Sequence, residues 1–338
     1  MSSTQLYDNP WIFPGFVDLQ CNGIGDADFA SADLEGFRVA GTLLLATGVT
    51  SYLPTIVSAP LDSYAAVLDR VAHAQVALAN QGLPTIEGVH LEGPFLGSAP
   101  GAHAPEYLRT MDVGWLTSLL DQYPGLVRLV TLAPEADPGF EGIRALRDRG
   151  VGVALGHSRC SYDDAVQAAA AGAALITHVF NAMSELHHRN PGLANAALDS
   201  AVPLTPTLIA DMVHVHPSAV RLAMAVANPI LVTDRVATGV RYRNQLVIER
   251  DGAAFIEDGT LAGSVLTMDK AIRNIVDLGV SLEAAVQAAT TAPADVLGLN
   301  VFGASSEIGR ADLTELDSVT LEVRRVWISG ELAYTRSA

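Results

Sequence analysis

Four side chains that could perform metal and acid–base chemistry each follow a short apolar run. They are Glu92, His157, His178 and Asp234. One carboxylate and two imidazoles form a common ligand set for catalytic zinc, and they leave a fourth coordination position for water. A bound metal lowers the pKa of that water to about 7, and Asp234 could then move protons as general base and acid. The pattern predicts a hydrolytic centre with Glu92, His157 and His178 as metal ligands and Asp234 as the catalytic residue.

The residues after the first apolar run favour one metal ion over two. A two-metal site commonly takes a His-x-His at this point and a bridging modified lysine, whereas the run here ends in Gln20-Cys21-Asn22. The only lysine, Lys270, lies in a helical pattern from Leu266 to Leu278. We therefore expect one divalent ion per chain. Glutamate with two histidines suits Zn²⁺, and Fe²⁺ or Co²⁺ would also fit.

For the four side chains to meet, the apolar runs must be neighbouring parallel strands. Eight runs are short and rich in Val, Ile, Leu or Thr: Phe13–Leu19, Thr50–Thr55, Ile86–Leu91, Val127–Leu132, Val151–Leu155, Leu175–Thr177, Pro206–Ala210 and Ile230–Thr233. Helical patterns separate most of them: Leu34–Thr47, Asp62–Ala79, Val113–Gln122, Phe140–Arg149, Tyr162–Ala171 and Pro217–Val226, with a short and weak one at Leu193–Leu198.

This alternation over about 220–230 residues is typical of a (β/α)8 TIM-type barrel, in which catalytic residues lie at the C-terminal ends of the strands. The alternative α/β fold is a doubly wound sheet. That fold would show fewer strands and a glycine-rich first turn, and the sequence has no G-x-G-x-x-G motif.

After Asp234 the alternation stops. We predict a hairpin region, two helical runs and a pair of edge strands, at Arg241–Ile256 with an Asp251-Gly252 turn, Leu266–Leu278, Leu282–Leu297, and Ser318–Tyr334 with a Ser329-Gly330 turn. The predicted organisation is a barrel over residues 12–300. A small, incomplete β appendage is expected from residues 301–338 together with residues 1–11.

Composition excludes several classes of protein. The chain has 338 residues, of which 49% are apolar and 17% charged, so it can bury a large core. Its 20 basic and 37 acidic side chains give a net charge of −17, which argues against nucleic acid as a partner. No apolar run reaches the ~20 residues of a membrane helix. With two cysteines and no visible export signal, we expect free thiols and a cytoplasmic location.

The motifs, taken in order from about Pro14 to Arg325, resemble those of the N-acetylglucosamine-6-phosphate deacetylase family of the amidohydrolase superfamily. They are Pro14-Gly15-Phe16-Val17-Asp18 with Asn22-Gly23, His90-Leu91-Glu92-Gly93-Pro94, Gly156-His157-Ser158, Thr177-His178-Val179-Phe180-Asn181-Ala182-Met183, Ile209-Ala210-Asp211 with His214, Val232-Thr233-Asp234 and Leu261-Ala262-Gly263-Ser264. The resemblance implies a metal-dependent hydrolase of a linear amide bond. It implies N-acetylglucosamine 6-phosphate as substrate, and glucosamine 6-phosphate and acetate as products.

The resemblance also implies a role for individual residues. Glu92, His157 and His178 match the metal ligands, and Asp234 matches the acid–base. Substrate contacts match Ala102, His103, Asn181, Ala182, Arg189, His214, Leu261, Ala262 and Gly263. Of these, His103 matches a residue at the substrate amide. Arg189 matches an arginine that binds the sugar phosphate from the neighbouring subunit, which implies a homodimer.

Three features depart from the family pattern. Only thirteen residues precede Pro14, fewer than in the family, so we expect a reduced β appendage. Arg235 follows Asp234 where the family has a small residue. Adjacent strand residues face opposite ways, so Arg235 need not touch the site; beyond a strand end it could pair with Asp234 and weaken it as a base. Met212 stands where glycine is usual, which would reshape the sugar pocket.

Other functions remain open at this point. The same scaffold could act on an epimeric sugar phosphate, such as the galactosamine form, or on a cyclic amide. Arg189 favours a phosphorylated substrate. The chain could also be a non-catalytic sugar-phosphate binding protein, but the intact ligand set and Asp234 argue against that reading, because a sensor needs no base.

Overall fold

A nearly closed barrel of eight parallel strands dominates the computed structural model, which describes residues 11–242, 245–257, 259–300 and 311–337. The strands are β1 (Phe16–Cys21), β2 (Val49–Val57), β3 (Val89–Glu92), β4 (Val127–Leu132), β5 (Gly152–Leu155), β6 (Leu175–Ile176), β7 (Thr205–Leu208) and β8 (Ile230–Leu231). Each pairs in parallel with the next along the chain. The backbone N–H of Asp234 donates to the Gln20 carbonyl at 2.9 Å and joins the ends of β8 and β1. The predicted α/β barrel is confirmed.

Helices follow the strands on the outside of the barrel, and most begin and end within two residues of the predicted bounds. They are α1 (Leu34–Leu45), α2 (Tyr64–Ala77), α3 (Val113–Gln122), α4 (Glu141–Arg147), α5 (Tyr162–Ala171), α6 (Leu193–Leu198), α7 (Pro217–Val226), α8 (Met268–Asp277), α9 (Leu282–Ala289) and α10 (Thr291–Leu297). Short 3-10 helices lie at Leu61–Ser63, Pro105–Tyr107 and Pro134–Ala136. None of the described helices is long and apolar enough to cross a membrane.

The predicted run Leu282–Leu297 forms two helices because the backbone leaves the helical region at Thr290, where φ is −126° and ψ is −84°. Pro293 lies in the first turn of the second helix. A proline has no N–H, so it could not donate to the Ala289 carbonyl if the first helix continued.

The core lies inside the barrel and between the barrel and its helices. Phe16, Val17 and Leu19 of β1 are fully buried although they lie on both faces of the strand. This is expected of a parallel sheet whose two faces are both covered. Burial of a side chain of this size contributes about 1.5–3 kcal/mol, so apolar strand residues hold the scaffold while the polar residues at the strand ends remain available for chemistry.

The two ends of the chain form the small β appendage. Its four antiparallel strands are Ile12–Pro14, Leu313–Leu316, Val323–Ile328 and Glu331–Thr335. The predicted turn at Ser329-Gly330 is present, whereas the strand Leu313–Leu316 was not predicted. The chain leaves this sheet at Gly15, where an added Cβ would lie 2.1 Å from Thr50 Oγ1. The domain bounds remain predictions, and the parts assigned to residues 1–10 and 301–310 lie outside the described residues.

Short antiparallel strands follow Asp234 and carry one rim of the barrel mouth. Arg241–Tyr242 pairs with Gln245–Leu246, and Ile248–Arg250, Ala253–Phe255 and Leu261–Ser264 form a three-stranded sheet. The predicted Asp251-Gly252 turn is present, with φ of 53° and 82°, which suits a tight hairpin. The strand Leu261–Ser264, which was not predicted, contains three of the residues that the resemblance matched to substrate contacts. The remaining short strands are Gly23–Ile24 paired with Ala27–Asp28, and Thr85–Ile86 beside β2.

Candidate active site

The four side chains singled out first meet at one end of the barrel. Glu92 is the last residue of β3, and the other three follow β5, β6 and β8 within three residues. Glu92 Oε1 lies 3.0 Å from His157 Nε2 and 3.1 Å from His178 Nε2. The two Nε2 atoms are 3.1 Å apart. Glu92, His157 and His178 are buried, so these donor atoms are shielded from bulk water.

Three of these residues have a left-handed backbone conformation, which residues other than glycine rarely adopt. His157, His178 and Asp234 have φ of 50°, 29° and 46°. Such a residue costs of order 1–3 kcal/mol and persists only when its surroundings hold it. At His178 the backbone N–H donates to Thr207 Oγ1 at 2.7 Å. At Asp234 the backbone N–H donates to the Gln20 carbonyl at 2.9 Å. Each bond holds the strained backbone in place. Three of the four candidate catalytic residues thus carry backbone strain just after β5, β6 and β8 end.

The donor set fits a metal ion. His157 Nδ1 lies 3.2 Å from the Ala99 carbonyl oxygen, so Nδ1 donates and carries the ring proton. Burial lowers the pKa of His157 to about 4, and the ring is neutral. Its Nε2 lone pair then faces the Glu92 carboxylate, and two such acceptors repel unless a cation lies between them. Ligand atoms about 2 Å from a tetrahedral zinc are about 3.3 Å apart, close to the separations measured between the three donors.

Two amide side chains donate to the carboxylates, and one of them, Gln20, links Glu92 to Asp234. Gln20 Nε2 donates to Glu92 Oε1 and to Asp234 Oδ1, both at 3.1 Å, and Gln20 Oε1 accepts from Thr177 Oγ1 at 2.9 Å. Asn22 Nδ2 donates to Asp234 Oδ1 at 2.9 Å. In the sequence, Gln20 and Asn22 stood out only as the place where a His-x-His is absent. Their position after β1 was the signal that they belong to the site.

The pKa values of the two carboxyl groups are shifted in opposite directions. Burial alone would raise the pKa of Glu92, but its contacts with His103, His157 and His178 outweigh burial and hold that pKa well below its usual range. Burial and the nearby Glu92 charge raise the pKa of Asp234 to about 6. A carboxyl group that titrates near neutral pH is suited to both accepting and returning a proton.

His103 presents a proton donor to the same centre. Its Nδ1 accepts from the backbone N–H of Ser58 at 3.3 Å and lies 2.9 Å from Ser58 Oγ. Nδ1 is therefore an acceptor, and the N–H of the ring is on Nε2, which is 3.7 Å from Glu92 Oε2. The residue assigned by resemblance to the substrate amide thus has an N–H beside the candidate metal ligands.

His214 is held by Asp211. Its Nδ1 donates to Asp211 Oδ2 at 2.6 Å, and the backbone N–H groups of Val213 and His214 donate to Oδ1 at 2.9 and 2.8 Å. Burial opposes ionisation of Asp211, but these bonds outweigh it and lower its pKa. Between the two, Met212 has φ of 67°, the region that favours glycine. Met212 therefore adopts a turn conformation that glycine would adopt more easily. Because Nδ1 of His214 contacts Asp211, Nε2 is the ring nitrogen that can bind a ligand.

One cavity of about 280 Å³ lies at the barrel mouth. The residues singled out from the sequence that line it are Glu92, Ala102, His103, His157, His178, Asn181, Ala182, His214, Asp234, Leu261, Ala262 and Gly263. Asn181 Nδ2 donates to the His178 carbonyl at 3.1 Å. Arg189 is the exception, since it is exposed and does not line the cavity of its own chain.

Arg235 does not pair with Asp234. Its Nη1 donates to the Leu266 carbonyl at 3.1 Å and also to the Val265 carbonyl. Its own carbonyl accepts from the backbone N–H of Asn22 at 2.7 Å. Consecutive residues leaving β8 face opposite sides, so of the two alternatives raised by the sequence, the one in which Arg235 points away from the base is correct.

Comparison with known proteins shows the family of this chain. The model of the Amidohydrolase family matches residues 11–333. An N-acetylglucosamine-6-phosphate deacetylase from Bos taurus is 38% identical over 95% of this chain and 83% of its own length. The chain belongs to the N-acetylglucosamine-6-phosphate deacetylase family. The resemblance expected from the motifs is therefore confirmed.

Other relatives and solved structures match this chain over a similar share of its length. An N-acetylgalactosamine-6-phosphate deacetylase from Escherichia coli is 36% identical over 96% of this chain and 88% of its own length. The crystal structure of an N-acetylglucosamine-6-phosphate deacetylase from Pasteurella multocida superposes with a TM-score of 0.87 at 29% identity, covering 96% of this chain and 86% of that one. Amidohydrolases are metal-dependent, and Glu92, His157 and His178 form the candidate metal site of this member.

Proposed function

We propose that this chain hydrolyses the N-acetyl group of N-acetylglucosamine 6-phosphate, giving glucosamine 6-phosphate and acetate. The observation that carries the proposal is the convergence of Glu92, His157 and His178 within 3.1 Å, with Asp234 tied to Glu92 through Gln20. This arrangement lies on the cavity of a chain whose relatives carry the name of that deacetylase.

Glu92, His157 and His178 would hold one divalent metal ion, which we propose to be Zn²⁺ because the set combines one carboxylate oxygen with two imidazole nitrogens. When bound, such an ion polarises the acetyl carbonyl and lowers the pKa of water. Gln20 and Asn22 occupy the end of β1 and donate to Asp234, so the amide groups there serve the carboxylates and not a second ion.

Asp234 supplies the proton transfers. In its ionised form it takes a proton from the attacking water, whose oxygen forms a bond to the acetyl carbon. The same proton then goes to the sugar nitrogen as the C–N bond breaks, so that the amine and acetate leave. His103 Nε2–H donates to the carbonyl oxygen as negative charge develops there. Burial of the site strengthens each of these interactions.

The remaining cavity residues would hold the sugar. His214, oriented by Asp211, and Asn181 offer polar atoms for hydroxyl groups, and Leu261–Ser264 lies along one side. Arg189 would reach the phosphate from a partner subunit, which requires a homodimer. We place the reaction in the cytoplasm, because both cysteines are free and buried, as in a reducing compartment.

A second candidate substrate is N-acetylgalactosamine 6-phosphate, since a 36% identical relative carries that name. The test is acetate release by the zinc-loaded protein from the two N-acetylhexosamine 6-phosphates and from unphosphorylated N-acetylglucosamine. We expect the highest kcat/KM with N-acetylglucosamine 6-phosphate. A preference for the galactosamine epimer would establish the alternative, and no acetate from any of the three would contradict both.

A further inference from the structure

The cavity carries one positive charge that this mechanism does not use. Among the described residues that line it, Arg241 is the only arginine or lysine, while Asp28, Glu92 and Asp234 add carboxylates. A cavity with this charge balance repels an anionic ligand unless a cation is suitably placed. Arg241 is therefore the side chain in the chain's own cavity that suits a phosphate group.

Hydrogen bonds fix the backbone just before Arg241, and Arg241 itself pairs with Leu246 of the facing strand. The Gly239 N–H donates to the Val247 carbonyl, and the Val247 N–H donates to the Val240 carbonyl, each at 2.9 Å. Val247 is buried in a small apolar cluster with Ala254 and Ile256. The short strand from Arg241 is thus anchored to the same unit as Leu261–Ser264, which forms another part of the cavity wall.

The depth of the cavity separates the two ends of the substrate. The candidate metal ligands are buried at its floor, whereas Arg241 is exposed at its rim. In an N-acetylhexosamine 6-phosphate, the amide on C2 and the phosphate-bearing arm on C5 lie across the ring from each other. A substrate with its amide at the floor therefore directs its phosphate outward, toward the rim.

We propose that Arg241, from the same chain as Asp234, binds the phosphate of the substrate. The proposal rests on the proposed function and extends it, because it gives each chain a phosphate contact that does not depend on Arg189 of a partner. The guanidinium presents two parallel N–H groups, which match two phosphate oxygens better than an ammonium does.

The test compares Arg241→Ala and Arg241→Lys with the parent in the zinc-loaded protein. Arg250→Ala is the matched control, since it removes the same charge from the nearby strand Ile248–Arg250. Arg250 is 58% exposed, stacks on Phe255 and does not line the cavity. For N-acetylglucosamine 6-phosphate we expect Arg241→Ala to raise KM about tenfold to a hundredfold, with Arg241→Lys intermediate and Arg250→Ala unchanged. On unphosphorylated N-acetylglucosamine all three should match the parent.

Calorimetric binding of glucose 6-phosphate, which has no amide to cleave, separates this proposal from the proposed function. The parent and Arg250→Ala should bind it equally, and Arg241→Ala at least tenfold more weakly. If no acetate is released but this binding still depends on Arg241, the proposed function fails and the phosphate site stands. The phosphate site is overturned if the parent does not bind glucose 6-phosphate. It is also overturned if Arg241→Ala binds like the parent, or if KM rises equally on both sugars.

Discussion

Asp234 is the residue on which the chemistry depends. Two amides, Gln20 and Asn22, donate to the same carboxylate oxygen, and burial together with Glu92 raises the pKa to about 6. The Glu92 charge acts on Asp234, but Asp234 lies outside the set of three converging donor atoms. Its removal should therefore affect proton transfer without affecting metal content.

The substitution Asp234→Asn tests this separation. General acid–base catalysis contributes roughly 10²–10⁴-fold, so kcat should fall by at least the lower figure while zinc content, measured by elemental analysis, stays at the parental level. The asparagine keeps the size of the side chain and leaves the fold intact. A variant that retained activity within a few-fold of the parent would remove Asp234 from the mechanism.

The pH profile tests both the base and the direction of Arg235. Asp234 must be ionised to accept a proton, so kcat/KM should fall about tenfold per pH unit below about 6, where the carboxyl becomes protonated. Because Arg235 donates to the Val265 and Leu266 carbonyls, Arg235→Ala should leave this acidic limb in place. If the two residues paired, the same change would raise the pKa of Asp234 and move the limb to higher pH.

Among individual residues, the sequence predicted those whose side chains carry the chemistry and missed those that hydrogen-bond to them. Glu92, His157, His178 and Asp234 were found because carboxylates and imidazoles stood at the ends of apolar runs. Gln20 was overlooked, because an amide gains a role only from the partners it meets in space. The left-handed backbone of the two histidines and Asp234 was also not visible, since side-chain type does not encode it.

Among the elements, the strand Leu261–Ser264 has the closest relation to the base. The Ser264 N–H donates to the Asp234 carbonyl at 2.9 Å, and the Val236 N–H donates to the Ser264 carbonyl at 3.1 Å. Arg235 Nη1 donates to the carbonyls of Val265 and Leu266, the two residues after Ser264. This strand, a wall of the cavity, is therefore positioned by the same backbone that carries Asp234.

Gly263→Ala should displace that strand. Gly263 has φ of 116°, and an added Cβ would lie 2.6 Å from Val236 Cγ1 and 3.0 Å from the Asp234 carbonyl oxygen. We expect kcat/KM for N-acetylglucosamine 6-phosphate to fall about tenfold or more, because left-handed strain and the collision together cost of order 1–3 kcal/mol. The control is Gly252→Ala, where φ is 82° and no heavy atom lies within 4 Å. Equal activities of the two variants would show that the strand does not position the site.

The elements themselves could be predicted where hydrophobic pattern and length agree. The eight barrel strands and α3, α5 and α7 fall close to their predicted ranges, because short buried runs and amphipathic patterns carry that information locally. The break at Thr290 and the strand Leu313–Leu316 were missed. The first depends on one proline within a continuous apolar pattern, and the second on pairing with Ile12–Pro14 from the far end of the chain.

For the whole molecule, the net charge of −17 sets a condition on an anionic substrate. The overall field opposes its approach, so cations must be placed locally at the mouth. Arg241 satisfies this condition within one chain, and Arg189, exposed and outside its own cavity, could satisfy it only for another chain. The (β/α)8 architecture followed from the alternation of runs along the sequence, whereas an assembly depends on surfaces that no local pattern describes.

Mixing a weakened variant with an inactive one tests whether Arg189 acts across subunits. Arg189→Ala should weaken the reaction on the phosphorylated sugar by about 1.5–3 kcal/mol, and Asp234→Asn should abolish turnover. A mixed dimer of the two holds one site with an intact Asp234 and an Arg189 from the other chain. Dissociation and reassociation of the two variants together should therefore restore part of the parental rate. No recovery, with mixed dimers demonstrated by mass spectrometry, would place Arg189 outside the partner's site.

In the proposed mechanism, one metal ion held by Glu92, His157 and His178 is enough for amide hydrolysis by this chain. A zinc titration of the chelator-treated protein, followed by acetate release from N-acetylglucosamine 6-phosphate, measures how many ions the reaction needs. We expect a rate that rises linearly and stops rising at one zinc per chain, and a His157→Ala variant that neither retains zinc nor releases acetate. Full activity without metal, or a rate that rises until two zinc ions are bound, would contradict it.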